Sequence, residues 1–469
     1  MSSLPLVATL VAYKIVLIAI GLALHRRTKD ATDFFLGGRK LGPWVAALSA
    51  SASSSSAWTL LGVSGAAYSW GLSAVWIFPA CLGGFALNWI VLAPRLRRSS
   101  LAADALTVTD VLAGPRDAPL AVAIRRCAAV IILVSLVVYV AAQFQGAGKT
   151  FHETFDMPMA QSIVLGSVIV VAYTLLGGFW AVSVTDTLQG LVMALASVVL
   201  PVAAWIEIGG ATGLAEGIAA VDVPGFSSTV GNMEGPAAVG LVLGLLGIGL
   251  GYPGQPHVVN RFMALRDDRS VSRGRTIAIA WAVVLYAGML VLGWSARVLY
   301  PGLPDGEVAF VTATQNLFPP VIAGVMLAAV LSAIMSTADS QLLVAGSAVA
   351  HDWRGGGETS SETDIAASRR VVLVLGGAAV VAALVATPEI FSNVLFAWTA
   401  MGAAFGPLLI VLVVSGPVVP RARLAAIVVG FAAAVVAHAI PDARGTAWER
   451  VLPFVLALAI ATWGREHSR

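Results

Sequence analysis

A cluster of polar side chains interrupts a long apolar stretch of the chain. Within the mostly apolar residues 319–350, the sequence places Ser336, Thr337, Asp339 and Ser340 close together. Polar groups inside hydrocarbon are costly unless they are satisfied, so a membrane helix keeps them mainly where they face a cavity, a partner or an ion. A hydroxyl can bond back to a carbonyl one turn earlier, but that bond cannot satisfy an ionised Asp. The cluster therefore predicts a cation-binding site.

The composition indicates which elements must position this cluster. Hydrophobic residues make up 58% of the 469 residues, charged residues make up 11%, and the mean hydropathy is +0.88. Soluble proteins carry about 25% charged residues, so the chain is predicted to be an all-α polytopic membrane protein. A span takes about 20 apolar residues. About thirteen transmembrane helices are expected, at 4–24, 44–68, 72–94, 124–147, 160–178, 181–207, 237–256, 275–299, 319–350, 370–387, 391–415, 422–439 and 450–464.

Basic residues fall at alternate ends of these segments. The groups include Arg26, Arg39, Arg97, Arg126, Arg261, Arg273, Arg354, Arg370 and Arg423, whereas the loops 208–236 and 300–318 carry acids and almost no bases. Cytoplasmic loops are enriched in Lys and Arg. We therefore expect a multi-pass protein of the inner (plasma) membrane with its N-terminus outside and its C-terminus in the cytoplasm. Lys14, inside the first segment, is expected to snorkel or to face a neighbouring helix.

Several classes of site and partner are disfavoured. Cys81 and Cys127 are the two cysteines and lie in predicted membrane segments, which argues against a disulfide framework or a cysteine metal site. The net charge of +3 and the pI of about 9.0 follow from the basic loops and do not indicate nucleic acid. The expected partners are the lipid bilayer and a small-molecule solute, with no obligate protein partner.

Two predicted helices contain segments that could break. Residues 49–56 are a run of Ser and Ala in the second helix, and residues 247–256 contain four Gly and two Pro in the seventh. Close packing of small residues and a simple kink are alternative interpretations. Helices five spans apart run in opposite directions, which is typical of an inverted five-helix repeat. The repeats would be 44–207 and 237–415, with an extra helix at 4–24 and two more within 422–464.

Several motifs resemble the sodium/solute symporter family, and most closely its bacterial sodium/proline symporters. They are, in order, Asp33, Phe34, Phe35, Leu36, Gly37, Gly38 and Arg39; Tyr173 to Asp186, including Gly177, Gly178, Phe179 and Trp180; Gly249, Leu250, Gly251, Tyr252, Gly254, Gln255, Pro256, His257, Arg261, Phe262 and Met263; Met335, Ser336, Thr337, Gln341, Leu342 and Leu343; and Ala397, Trp398, Gly402, Phe405, Gly406 and Pro407. The matches extend over most of the chain.

The resemblance implies a LeuT-type fold, alternating access and a sodium ion as the coupling ion. It places the main sodium site between helices 2 and 9, with ligands from the backbone carbonyls of Ala52, Ser55 and Ala333 and the hydroxyls of Ser336 and Thr337. This set of ligands agrees with the chemistry of sodium, because a hard cation binds several oxygen ligands.

The resemblance also implies a second site for a cation or a proton, formed by Asp186, Asp339 and Ser340. Asp339 stands where the proline symporters have Ser, at a position that other members use for a second sodium. We hypothesise that Asp186 and Asp339 flank one cation or share one proton, because two nearby carboxylates in low dielectric resist ionising together. Two further departures are Ser54, which replaces an Asp, and Ile248, which replaces a Trp.

The resulting functional hypothesis is a sodium-coupled symporter that imports proline or a similar small zwitterion. The solute would bind near Ser56, Trp58, Tyr139, Tyr252 and Pro256. The main alternative is a sodium- or proton-coupled symporter of a monocarboxylate, pantothenate or a sugar. A solute sensor is disfavoured because no kinase region follows the last helix, and an enzyme is disfavoured because Asp267 and Asp268 are the only adjacent acids and lie in a basic loop.

Overall fold

The computed structural model describes residues 4–25, 36–175, 179–354, 361–387 and 389–466. Within these residues the secondary structure is helical, apart from two isolated β-bridges. Residues 33–35 and 176–178, which carry parts of two of the family motifs, lie outside the described residues.

The described residues form twenty α-helices. They are α1 (Leu4–His25), α2 (Pro43–Ser54), α3 (Ser64–Trp70), α4 (Ile77–Ala86), α5 (Ala93–Ala102), α6 (Val108–Ala113), α7 (Ala121–Phe155), α8 (Met159–Thr174), α9 (Phe179–Glu207), α10 (Gly210–Ala220), α11 (Gly235–Leu246), α12 (Pro256–Met263), α13 (Asp268–Leu299), α14 (Ala309–Leu317), α15 (Pro320–Ser347), α16 (Ser361–Val385), α17 (Ile390–Val414), α18 (Pro420–Ala439), α19 (Ala447–Arg450) and α20 (Leu452–Trp463).

Tighter and wider helical turns join several of these helices. π-Helical turns occupy Trp58–Val63, Leu87–Leu92 and Ala348–Asp352. 3₁₀-Helical turns occupy Gly37–Arg39, Gly71–Trp76, Gly247–Gly254, Gly306–Val308 and Pro441–Ala443. The helical run from Trp58 to Ala102 is interrupted at Gly71, whose φ of 64° and ψ of −139° are not helical, so α3 ends at Trp70 and a separate helical segment follows.

Ten helical stretches in the described residues are long and apolar enough to cross a membrane. Met159–Thr174 is apolar but shorter, and the last helix, Leu452–Trp463, has 12 residues. A span of hydrocarbon needs about 20 helical residues. The polytopic all-helical architecture is therefore confirmed, whereas the predicted count of thirteen spans stays a prediction.

The polar cluster lies at the centre of the packing. Helix α2 packs against α9, α12, α13 and α15, while α15 also contacts α1, α7 and α9. Every side chain from Met326 to Leu342 of α15 is buried. The part of α15 that carries Ser336 and Asp339 is thus surrounded by protein.

A short backbone pairing joins the start of α2 to the end of α12. The Leu41 N–H donates to Ala264 O at 3.1 Å, and the Arg266 N–H donates to Leu41 O at 3.2 Å, which forms a parallel bridge between Leu41 and Leu265. Arg97 donates to the carbonyls of Leu265 and Arg266 at 2.9 and 2.7 Å. We call this end of the bundle, with Arg97 and Arg266, the basic end.

Candidate functional site

The chain breaks its helical hydrogen bonding just after α2. Ser55 has φ −114° and ψ 72°, which is not helical. The Ala57 N–H donates to Gln143 Oε1 at 3.0 Å, and the Trp58 N–H donates to Ser56 Oγ at 3.2 Å. In a continuous helix each N–H would instead serve the carbonyl four residues earlier. The last carbonyls of α2 are therefore left for other partners.

Hydroxyl groups of α15 face these freed carbonyls. Ser336 Oγ lies 3.2 Å from Ala52 O and 3.3 Å from Ala333 O, and Thr337 Oγ1 donates to Ser53 O at 3.1 Å. Both hydroxyls are fully buried. Ser336 has one hydroxyl proton, so it cannot serve both carbonyls at once. Four of the five predicted ligand residues come together here, and Ser53, which was not predicted, adds a carbonyl.

The fifth predicted ligand residue, Ser55, lies at the break itself. Its N–H donates to Ala52 O at 3.2 Å, and its buried hydroxyl has no hydrogen-bond partner among the described residues. The region thus offers more oxygen lone pairs than protons, all removed from solvent. Such a set fits a hard cation such as sodium, which takes several oxygen ligands.

A buried ion pair lies one turn away from this oxygen cluster. Arg261 Nη2 donates to Asp186 Oδ2 at 2.8 Å and to Ser340 Oγ at 2.6 Å, and Arg261 Nε donates to Ser49 Oγ at 2.7 Å. Ser49 and Ser53 donate to the same carboxylate oxygen at 2.8 and 3.2 Å. Ser53 belongs to both networks, because its carbonyl accepts from Thr337 while its hydroxyl donates to Asp186.

Arg261 corrects the sequence interpretation. It was counted with the basic residues of a loop, but it lies in α12 with a side chain that is 2% exposed. The basic residue count could not separate it from solvated arginines. The available signal was Asp186, since a buried carboxylate needs a hydrogen-bonded or charged partner.

Asp339 belongs to a different network. Its Oδ1 accepts a hydrogen bond from Thr174 Oγ1, its side chain is fully buried, and its Oδ2 has no hydrogen-bond partner among the described residues. No hydrogen bond is found between Asp339 and Asp186 in the described part of the chain. The hypothesis that these two acids flank one cation or share a proton therefore stays a prediction, with Arg261 as the cation beside Asp186.

Aromatic side chains enclose a small cavity beside the break. It is lined by Ser54, Trp58, Tyr139, Ile248, Tyr252, Val394, Leu395 and Trp398. The Tyr252 and Trp398 rings meet edge to face with centroids 4.7 Å apart. Three predicted solute-binding residues, Trp58, Tyr139 and Tyr252, line this cavity. Sequence reasoning missed Trp398 as a lining residue, although the Ala397, Trp398 motif was noted.

The other two predicted solute-binding residues, Ser56 and Pro256, do not line this cavity. Ser56 Oγ accepts from Tyr139 OH at 3.5 Å, and Pro256 begins α12 behind the second break. That break is stabilised by Gln255, whose Nε2 donates to Gly251 O and to Trp398 O, each at 3.0 Å. A Cβ on Gly251 would meet Trp398 at 2.0 Å, so glycine is required where α17 crosses the broken helix.

One residue that lines the cavity carries an unused donor. Trp58 Nε1 is buried and has no hydrogen-bond partner in the described structure, whereas Tyr252 OH and Tyr286 OH bond each other at 2.7 Å. An indole N–H can only donate. The cavity therefore suits a small solute with an apolar body and an acceptor group such as a carboxylate.

The end of the bundle opposite the basic end is held by a second buried ion pair. Lys149 Nζ lies 2.5 Å from Glu307 Oε2, and Glu307 accepts the backbone N–H groups of Ile390 and Phe391 at 3.0 and 2.7 Å. Burial raises the pKa of Glu307, and Lys149 opposes that shift. The Phe391 ring packs on Trp58 with centroids 5.4 Å apart. Glu307 thus holds the start of α17 over the cavity.

A wide cavity of about 880 Å³ lies on the far side of this contact. Trp70, Phe391 and Leu395 are among its lining residues, and Leu395 also lines the small aromatic cavity. Trp70 and Phe391 meet edge to face at 4.8 Å. A layer of aromatic and apolar side chains therefore separates the wide cavity from the small one.

A third charged cluster lies towards the basic end. His351 Nε2 is 3.0 Å from Asp110 Oδ2, Arg125 Nε donates to Asp110 Oδ1 at 3.2 Å, and Thr107 Oγ1 donates to Asp352 Oδ1 at 2.8 Å. Burial alone would raise the pKa of Asp110, but His351 and Arg125 together outweigh it and lower that pKa to about 2. The cluster ties α6 to the end of the helix that carries the predicted sodium ligands.

Comparisons with known proteins agree on one family. A family model described as the sodium:solute symporter family matches residues 34–430. The chain is similar to the osmoregulated proline transporter OpuE of Bacillus subtilis (strain 168), with 34% identity over 465 residues, 97% of this chain and 93% of the relative. It is also similar to the sodium/proline symporter of Salmonella typhimurium, with 34% identity over 440 residues, 91% of this chain and 86% of the relative.

Solved structures show the same fold. A Na⁺-coupled sialic acid symporter in its substrate-bound outward-open state matches with a TM-score of 0.80 at 19% identity, over 99% of this chain and 98% of that one. Mhp1, a nucleobase-cation-symport-1 family transporter in a closed conformation, matches with a TM-score of 0.55 at 14% identity. That match covers 92% of this chain and 94% of the Mhp1 chain. The predicted LeuT-type fold is therefore confirmed as the fold class.

Proposed function

This chain belongs to the sodium:solute symporter family, and we propose that it is a sodium-coupled secondary active transporter that imports proline or a similar small zwitterion. Relatives that align along most of their length are named as proline transporters. The family also includes carriers of other solutes, so a monocarboxylate, pantothenate or a sugar is the alternative substrate.

The observation that carries the proposal is the oxygen cluster between α2 and α15. The carbonyls of Ala52, Ser53 and Ala333 meet the hydroxyls of Ser336 and Thr337 where α2 has lost its own hydrogen bonds. A sodium ion beside them would let each hydroxyl turn its proton away and present a lone pair. Because the ligands come from two separate helices, sodium would stabilise the arrangement in which α2 and α15 lie close together.

The solute would bind in the aromatic cavity next to that site. Its carboxylate would accept from Trp58 Nε1, and its ring would pack against Tyr139, Tyr252 and Trp398. The cavity holds space for about one water molecule in this structure, so Trp58 and Phe391 must separate before proline can enter. Sodium and solute would then be coupled through the break, since Ser54 and Trp58 flank it.

Alternating access provides the transport step. The chain would consist of two inverted repeats, 44–207 and 237–415, whose broken helices place sodium and solute near the middle of the membrane. The wide cavity behind Phe391 would face the outside and the basic end would face the cytoplasm, with the N-terminus outside and the C-terminus inside the cell.

Uptake by the purified full-length chain in proteoliposomes tests the proposal. We expect labelled proline to accumulate under an inward sodium gradient and not under an equal potassium gradient. Accumulation under a proton gradient alone would overturn sodium coupling. A competition panel with a monocarboxylate, pantothenate and a sugar tests the substrate, and the absence of proline uptake under every gradient would overturn proline in favour of whichever competitor is accumulated.

A further inference from the structure

The first helix directs a positively charged side chain at α15. Tyr13 OH and Ser332 Oγ are hydrogen bonded at 2.5 Å, and Lys14 Nζ contacts Met335 Sδ. Helix α1 also packs closely on the start of α15, where a Cβ on Gly324 would meet Thr9 at 2.8 Å. Lys14 therefore does not extend into lipid. Its side chain points at α15 and meets that helix at Met335.

Asp339 lies one helical turn beyond Met335 on the same face of α15. Residues four apart in a helix are neighbours on its surface, and a Lys side chain is long enough to move its ammonium by one turn. A thioether is a weak acceptor, so Met335 is a poor final partner for an ammonium group. With its ammonium at Met335, Lys14 thus lies about one helical turn from Asp339.

Asp339 in turn lacks a strong partner. Thr174 donates to Oδ1, whereas Oδ2 is buried without a partner in the described structure. The other buried acid, Asp186, already has the guanidinium of Arg261 at 2.8 Å. An ionised carboxylate in this environment needs a nearby positive charge, and Lys14 is the positive side chain that reaches this part of α15 without a charged partner in the described structure.

We infer that Lys14 is the resident counter-cation of Asp339, so that its ammonium group occupies the role that a second transported cation would have beside this carboxylate. With Arg261 beside Asp186 and Lys14 beside Asp339, both acids are neutralised by the protein itself. Sodium then has a single site, between α2 and α15. The role of Lys14 in transport rests on the proposed function, whereas the experiment that tests the inference does not.

The test uses sodium binding to the purified full-length protein, with four variants. Equilibrium binding of radioactive sodium is measured for wild type, Lys14→Met, Lys14→Arg, Asp339→Asn and the Lys14→Met/Asp339→Asn double variant. We expect one sodium ion per chain for wild type and Lys14→Arg. Lys14→Met exposes Asp339 to a free cation and should bind a second sodium ion, while the double variant should return to one.

Thermal unfolding of the same variants provides a readout that does not depend on transport. Lys14→Met should lower the midpoint by several degrees at low sodium, and high sodium or the additional Asp339→Asn change should restore it. If Lys14→Met does not fold, the inference predicts that the double variant does. A double variant that is no better than Lys14→Met would show that Lys14 acts through packing and would overturn the inference.

Two further outcomes separate this inference from the proposed function. A wild-type protein that binds two sodium ions, or a Lys14→Met protein with unchanged sodium stoichiometry and stability, overturns the role of Lys14 even if proline is transported. Conversely, the expected shifts in sodium binding without proline uptake would support Lys14 as the counter-cation and overturn only proline as the solute.

Discussion

The guanidinium of Arg261 donates to Asp186 Oδ2 at 2.8 Å, and the two side chains are 2% and 0% exposed. A buried pair of this kind is strongly destabilised when one partner is removed, typically by about 3–5 kcal/mol, because an uncompensated charge remains. The pair joins α12, next to the second break, to α9. It also contacts Ser340 and, through Ser49, the helix that precedes the first break.

We therefore expect Arg261→Met and Asp186→Asn each to lower the thermal stability of the purified protein more than the double variant does. The double variant removes both charges and leaves no ion unpaired. Differential scanning fluorimetry in detergent measures the effect. Equal or additive losses in the double variant would contradict a buried ion pair.

Removing one hydroxyl of the oxygen cluster should selectively weaken the binding of sodium. Ser336→Ala and Thr337→Ala each lose one predicted ligand, at about 1–3 kcal/mol, so the sodium concentration for half-maximal uptake should rise at least about fivefold. Ser197→Ala is the matched control, because its hydroxyl only bonds back to Met193 O at 2.7 Å. If the sodium dependence of uptake stayed at the wild-type value in both α15 variants, this cluster would be ruled out as the sodium site.

Trp58→Phe keeps an aromatic ring and deletes the unused donor. We expect the KM for the solute to rise about tenfold, since a hydrogen bond to a charged group contributes about 1.5–3 kcal/mol, while half-maximal sodium changes little. Trp281→Phe serves as the control, because its Nε1 donates to Gly190 O at 3.1 Å away from the cavity. If Trp281→Phe raised KM as much as Trp58→Phe, the carboxylate assignment would be wrong.

Glu307→Gln should loosen the contact between α17 and Trp58. The variant weakens the ion pair with Lys149 and the two hydrogen bonds from Ile390 and Phe391, each worth about 1–3 kcal/mol. A cysteine at position 395, in a protein with Cys81 and Cys127 replaced by Ala, should react with a water-soluble thiol reagent about tenfold faster. Glu216→Gln, an exposed acid at the same end, should leave the rate unchanged.

The cluster at Asp110 should contribute stability that depends on acid pH. Its pKa of about 2 in the folded protein lies below the value of about 3.9 for an unperturbed Asp. Because the pKa is lower in the folded state, the ionised carboxylate stabilises the folded state by about 2 kcal/mol at pH values above the unperturbed pKa. This stabilisation is lost as the pH falls through 2. Asp110→Asn should therefore be less stable at pH 7 and should show a flatter stability profile below pH 4.

Features that depend on neighbouring residues were predicted well. Both breaks follow from short runs of Ser, Gly and Pro, and the structure has them at Ser55 and at Gly247–Gly254. The burial of Ser336 and Asp339 followed from their place in an apolar helix. These are local statements about which hydrogen bonds a segment can make by itself.

Features that depend on helix packing were not accessible from the sequence. Nothing near Arg261 in the chain indicates Asp186, which lies 75 positions earlier, and nothing near Ser53 shows that its carbonyl meets Thr337. Trp398 likewise reaches the solute cavity only because α17 crosses the broken helix at Gly251. Residues far apart in sequence become partners through the arrangement of helices, which a pattern along one helix does not contain.

The parallel bridge between Leu41 and Leu265 has a mechanical consequence. It fastens the start of α2 to the end of α12, so the basic ends of the two broken helices form one rigid corner, reinforced by Arg97. A pathway towards the basic end cannot open between these two ends without breaking backbone hydrogen bonds. We therefore expect the start of α2 and the end of α12 to move together during the transport cycle.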